Sequence, residues 1–257
     1  MIRRYARPSL TLGLACAFVL TARAASASPA CDASFLALEE GATWTYERQV
    51  PEDGDQPSSQ AGDLVLKLPT DLAIEVRAIA RDGDETKVEL SERFGDIEQI
   101  VTIRCKDDEI YVSPHSFLAS GEPGGGIGLS LEETDRDGAS YPTSLRAGLR
   151  WTEWVEAAFE HASAAGSGAV HPAGKMQVER RLRVLRRVRV DIGDTSYRPY
   201  RIDFSLMGRA MVEPEIELGV EIPADAAGAL WFEPGVGLVQ AVNRFGHSWT
   251  LTERSAD

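Results

Sequence analysis

The sequence predicts a mainly β fold, an antiparallel sheet carrying one short helix and long polar loops. Apolar residues recur at every second position in several separate runs, the period of a half-buried strand. Between those runs stand clusters of Gly, Pro, Asp and Ser, the residues that turn a chain. The composition leaves enough material for a core, with 257 residues, 43% hydrophobic and 26% charged.

The first strands read as a hairpin. Leu72, Ile74, Val76, Ala78 and Ala80 share one face, and Val88 and Leu90 resume it after Arg81-Asp-Gly-Asp-Glu85. Val101, Ile103 and Cys105 alternate next, which turns the cysteine inward, and Ile110-Tyr-Val112 adds a further strand. The single helix is expected over residues 149–162, where Trp151, Trp154, Val155 and Phe159 line a stripe. Met176, Val178, Leu182, Val184, Val188, Val190 and Ile192 all fall on even positions. Helical spacing also catches part of that set, but its β-branched content favours two strands meeting near Leu185-Arg186. Further strands are expected at residues 200–206, 210–222, 229–232, 238–242 and 248–252. Long loops rich in Gly, Pro, Ser and acids are expected at residues 51–63, 120–141 and 162–174.

The first 27 residues read as a segment that does not join the fold. Arg3, Arg4 and Arg7 precede an apolar run from Leu10 to Leu20, and small residues end in Ala25-Ser-Ala27. A basic head, a short apolar middle and an A-x-A tail make a secretory signal peptide. The run is too short to cross a bilayer, which takes about 20 residues, and no later stretch is long enough either. Residues 28–257 then form one exported β-rich domain, periplasmic or envelope-associated. Its formal charge moves from −13 to about −17 because four arginines and no acids leave with the signal. Such an acidic chain is a poor candidate for nucleic acid, whose phosphates need cations.

Two cysteines remain after Cys16 departs. Cys31 and Cys105 would form one disulfide in an oxidising compartment, closing a loop of about 74 residues. The alternative is lipid anchoring at Cys31, which Ser28-Pro-Ala30 suits less well than an aliphatic residue three places earlier would.

An internal echo divides the domain. Leu38, Gly41, Trp44 and Thr45 match Leu145, Gly148, Trp151 and Thr152, 107 residues later, giving two repeats at about 35–140 and 141–252. Three phrases in order carry a family resemblance: Phe35 to Tyr46, Tyr141 to Trp151, and Trp231-Phe-Glu-Pro-Gly235-Val-Gly237-Leu-Val239. They resemble a group of exported bacterial envelope proteins, many of them lipoproteins. That group opens with an aromatic–Pro–Leu–Gly–x–x–Trp–x–Tyr phrase, repeats it mid-chain and closes on Gly-Val-Gly-Leu-Val. Here the first phrase lacks its proline, and the second reads Trp-Thr-Glu. The resemblance implies a curved antiparallel sheet, similar to the half-barrels of lipoprotein carriers, and it implies no catalytic residue.

No catalytic, metal-binding or cofactor-binding motif stands in the chain. There is no G-x-S-x-G, H-E-x-x-H or phosphate loop, and His115, His161, His171 and His247 are scattered. Glu133-x-Asp135-x-Asp137-Gly138 begins like a calcium loop, but Ser144 stands where the bidentate glutamate belongs. The one concentration of positive charge is the run from Arg180 to Arg189. Arg181, Arg183, Arg187 and Arg189 would face outward, either toward lipid headgroups or an acidic partner, or toward Glu213, Glu215 and Glu217 on a neighbouring strand. Arg180 and Arg186 share the apolar parity, so the register breaks there or they mark a barrel mouth. Two functions follow. One is a non-catalytic envelope protein whose curved sheet holds a lipid or acyl chain. The other is a structural module that contacts another envelope protein through its loops or its arginine strand.

Overall fold

The computed structural model describes residues 31, 33–49, 70–122, 129–161, 173–212, 227–244 and 246–256. The expected signal segment, the loop at 51–63 and the acidic residues 213, 215 and 217 lie outside them. The described strands are β1 Thr43–Gln49, β2 Asp71–Asp82, β3 Glu85–Phe94, β4 Ile97–Lys106 and β5 Glu109–Val112. A single turn of helix, α1 Phe117–Ser120, is followed by β6 Leu129–Asp137, β7 Tyr141–Pro142, β8 Arg150–His161 and β9 Ala173–Arg187. A small ribbon, β10 Val190–Ile192 with β11 Thr195–Tyr197, precedes β12 Tyr200–Val212, β13 Ala227–Glu233, β14 Gly237–Val242 and β15 Ser248–Ser255.

Thirteen of these strands form one antiparallel sheet in the order β6-β8-β9-β12-β13-β14-β15-β1-β2-β3-β4-β5-β7. The fold class is therefore mainly β, a large curved sheet. Its two edge strands, β6 and β7, are consecutive in the chain. Four Cα steps from Asp137 to Tyr141 reach at most about 14 Å, so the sheet must curl until its edges nearly meet. Side chains then bridge the seam. The Val112 N–H donates to Ser140 Oγ at 2.9 Å, Arg136 Nη2 donates to the Val112 carbonyl at 2.9 Å, and Arg104 pairs with Glu133 at 3.3 Å.

The expected helix at 149–162 is β8 instead. Glu153, Val155, Ala157 and Phe159 are all buried at period two, while a helix would have brought Trp154 to the core. The helix that exists, α1, is four residues long, capped by Ser116 and ended by Gly121 in the left-handed region. Three smaller expectations are also corrected. A bulge at Arg77 shifts the first hairpin, so Ile79 rather than Ala78 and Ala80 continues the inner face. The arginines lie on one strand to Arg187 rather than on two, and what falls at Leu185-Arg186 is a bulge, where pairing with β12 shifts between Val184 opposite Ile202 and Arg187 opposite Tyr200. Ala210 lies within β12, which runs on to Val212, rather than opening a strand of its own.

The two matching Gly-x-x-Trp phrases share a local backbone arrangement. Gly41 and Gly148 have φ of 82° and 87°, and their N–H groups donate to Val76 and Val184 carbonyls at 2.9 Å each. The Val76 and Val184 N–H groups return bonds to Ala42 and Leu149, again at 2.9 Å. Trp44 then lies opposite Ile74, and Trp151 opposite Leu182. Each of the two Gly-x-x-Trp phrases thus enters a strand, β1 or β8, through the same glycine turn.

Aromatic side chains and α1 fill the concave side. Phe35 meets Tyr141 and Phe232 edge-on at 6.0 and 5.5 Å, and Phe117 of α1 lies between Tyr46 and Trp249 at 5.1 and 5.8 Å. All are buried. Such edge-to-face packing adds to the area each ring removes from water.

Candidate functional site at the sheet seam

Opposite charges occupy core positions where the seam closes. Glu153 on β8 and Arg180 on β9 are direct cross-strand partners, each only 4% exposed. Arg180 Nε and Nη2 donate to Glu153 Oε2 at 2.8 and 2.5 Å. The other carboxylate oxygen accepts from the Ser140 hydroxyl at 2.5 Å and from Arg136 Nη1. Arg136 also donates to Ser140 Oγ and, on Nη2, to Glu133 at 2.5 Å.

The remaining guanidinium donors of Arg180 go to carbonyl oxygens of Ala119 in α1 and of Ser140, and the group lies 5.3 Å over the Tyr141 ring. Burial alone would lower the Arg180 pKa, but Glu153 and Tyr141 outweigh it and raise it. Burial pushes Tyr141 up to about 12, and its hydroxyl donates to the Leu118 carbonyl at 2.5 Å. The cluster therefore ties four elements to one carboxylate. Ser140 is fully buried, its hydroxyl held among Glu153, Arg136 and the Val112 N–H.

A pocket of about 210 Å³ opens beside the cluster, lined by Glu109, Gly138, Ala139, Pro142, Leu149, Trp151 and Thr152. That is below the roughly 300–1,000 Å³ of sites for drug-sized ligands. It fits a side chain. Trp151 forms part of its wall while its indole N–H donates to the Ser140 carbonyl at 3.1 Å. Glu109 accepts from the Tyr111 hydroxyl at 2.5 Å, a bond that, with burial, pushes Tyr111 up to about 12.

Glu92 is a second acid inside the sheet, fully buried. Its carboxyl accepts from the Phe117 N–H at 3.0 Å, the Ser116 hydroxyl at 2.5 Å and Gln99 at 2.8 Å, so it anchors the start of α1. Burial raises its pKa, against the pull of those donors.

The other residues singled out in the sequence are dispersed. Arg181 pairs with Glu179 at 2.6 Å, Arg187 with Glu233 at 2.7 Å and Arg189 with Asp191 at 2.9 Å. Arg183 stands opposite Asp203 on β12. The carboxylate partners of Arg181, Arg187 and Arg189 are thus on the same strand, on β13 and on β10. Cys31 and Cys105 are joined by a disulfide with Cα atoms 5.3 Å apart.

The first and last phrases dock on each other. Trp44 Nε1 donates to the Val236 carbonyl at 2.6 Å, Tyr46 to Leu238 at 2.8 Å, and the Gly235 N–H to Ser34 at 2.8 Å. Gly237 has φ of 101°, and a Cβ there would stand 3.0 Å from the Trp44 indole nitrogen. Trp231 sits under Arg201 at 5.2 Å. Glu133, Asp135 and Asp137 lie along strand β6 rather than in a loop, and no three metal-binding side chains converge among the described residues. His171 and the His161 side chain lie outside those residues.

Sequence reasoning missed Arg136, Glu153, Ser140 and Glu92. The signal for the cluster was parity. Glu153 and Arg180 interrupt apolar faces at positions that pair across β8 and β9.

No family model matches the chain, and no curated protein matches it in sequence. Two solved structures are similar to it at low identity. One is described as a "putative lipoprotein" from Parabacteroides distasonis ATCC 8503, 12% identical, covering 86% of this chain and 98% of that one with a TM-score of 0.49. The other is a "putative exported protein with YmcC-like fold" from Bacteroides fragilis NCTC 9343, 10% identical, covering 85% and 97% with a TM-score of 0.48. At these values nothing about activity or binding transfers to this chain.

Proposed function

We propose that the protein is a non-catalytic, exported component of the bacterial envelope that works through protein contacts on a rigid β scaffold. The single observation that carries this choice is the filled concavity. A carrier of the half-barrel kind needs an apolar hollow for an acyl chain, whereas here Phe35, Tyr46, Phe117, Tyr141, Phe232 and Trp249 occupy that space. Export is supported by the basic, apolar and A-x-A order of residues 1–27 and by a disulfide that an oxidising compartment preserves. The buried ion cluster supports rigidity, since removing either partner would strand a charge in the core.

Crosslinking in intact cells, with a photoreactive residue placed on the outer faces of β2, β8 and β12 in turn, tests the reading. One defined envelope neighbour, captured repeatedly from the same positions, is expected. Stoichiometric lipid in native mass spectra of protein purified from its host would overturn it in favour of a carrier.

A further inference from the structure

The repeat makes an internal comparison possible. In the first half, β15 pairs with β1 so that Arg254 stands opposite Trp44 and lays its guanidinium over the indole, 6.0 Å from the ring. Trp151 is the counterpart of Trp44, entered through the same glycine turn and opposite the equivalent strand. The strand that flanks β8, however, stops pairing at Asp137 and Trp154, before it reaches Trp151. The chain continues without pairing through Gly138, close against the Thr152 carbonyl, and Ala139, and the 210 Å³ pocket lies between this turn and Trp151.

This molecule repeatedly covers its rings with guanidinium groups. Arg201 lies over Trp231 at 5.2 Å, Arg187 over Tyr200 at 5.3 Å and Arg180 over Tyr141 at 5.3 Å. Among the described residues no guanidinium lies over Trp151. The pocket supplies what such a group needs, an aromatic face, apolar walls from Pro142 and Leu149 for the methylene stem, and the Glu109 carboxylate at the rim. Asp107 and Asp108, in the turn just before Glu109, and Asp137 beside Gly138 are exposed and extend the negative charge. A chain of formal charge −13 also attracts cationic segments at long range.

We infer that the Trp151 pocket receives an arginine side chain of a partner polypeptide, stacked on the indole and paired with Glu109. Arginine fits better than lysine because its planar group stacks and forks onto a carboxylate. The inference rests on the protein-contact reading above and names the partner's chemistry.

The test is a titration of the isotope-labelled full chain with acetyl-Gly-Arg-Gly-amide, following the tryptophan indole N–H resonances. The Trp151 resonance is expected to move saturably. Acetyl-Gly-citrulline-Gly-amide, neutral and nearly the same shape, should bind at least tenfold more weakly. The Glu109→Gln variant, on an exposed side chain, should lose affinity about fivefold and keep the spectrum of a folded protein. Equal shifts with the citrulline peptide, an unmoved Trp151 resonance, or an unchanged affinity in Glu109→Gln would each overturn the inference. A defined neighbour crosslinked in cells with no arginine binding at the pocket would sink this inference alone and leave the function standing.

Discussion

Glu153 and Arg180 face each other across β8 and β9 with both side chains sealed from water, and Arg136 reaches the same carboxylate from β6. Arg136 also holds the Val112 carbonyl of β5, the strand beside the other edge of the sheet. The clasp therefore spans the place where no strand ladder continues.

Arg180→Met is expected to cost about 3–5 kcal/mol, because Glu153 would lose its bonds to Nε and Nη2 and Ala119 would lose its donor. Urea unfolding measures it. A loss under about 1 kcal/mol would show that the cluster contributes little to holding the seam.

Glu92 gives a pH dependence with a definite sign. Burial raises its folded pKa above the ordinary 4.5, so the folded state binds the proton more tightly than the unfolded chain. That contribution to stability is present below about pH 4.5 and is lost as pH rises toward the folded value. Glu92→Gln should remove this slope, with wild type losing ground to the variant as pH rises above 4.5. Parallel stability curves from pH 4.5 upward would count against it.

Removing the disulfide through Cys31→Ser with Cys105→Ser should cost about 4 kcal/mol, from loop entropy over a separation of 74 residues. Thermal unfolding with and without reductant checks the figure. Thiol counting on unreduced protein should find no free Cys31 or Cys105.

Gly237→Ala should destabilise by about 1–3 kcal/mol, since its backbone lies at φ of 101° and the new methyl would press on the Trp44 indole and the Leu36 carbonyl. Chemical denaturation gives the size. A shifted indole N–H resonance for Trp44 would report the strained bond to Val236 directly.

Much of the sheet was legible because its strands alternate. Leu72, Ile74 and Val76 announced β2, and Gly41 with Trp44 announced a turn that recurs at Gly148 and Trp151. Legibility failed wherever tertiary pairing allowed a polar residue inside. Glu153 broke the alternation of β8, so Trp151, Val155 and Phe159 looked helical at a spacing of four, which a strand also satisfies. Glu92 on β3 was invisible for the same reason, since its justification is the start of a helix 24 residues away. The pocket was equally hidden, because it arises from where β6 stops pairing and no local residue pattern encodes that end.

The near meeting of β6 and β7 has a consequence for the molecule's neighbours. An open sheet offers a ribbon of unpaired amides on which a second copy can template and a fibre can start. Here both borders belong to one stretch of 14 residues, Leu129–Pro142, and the ends of the sheet guard each other. Polymerisation by edge addition would first have to prise Ser140 from Val112, so resistance to self-templating is built into the connectivity itself.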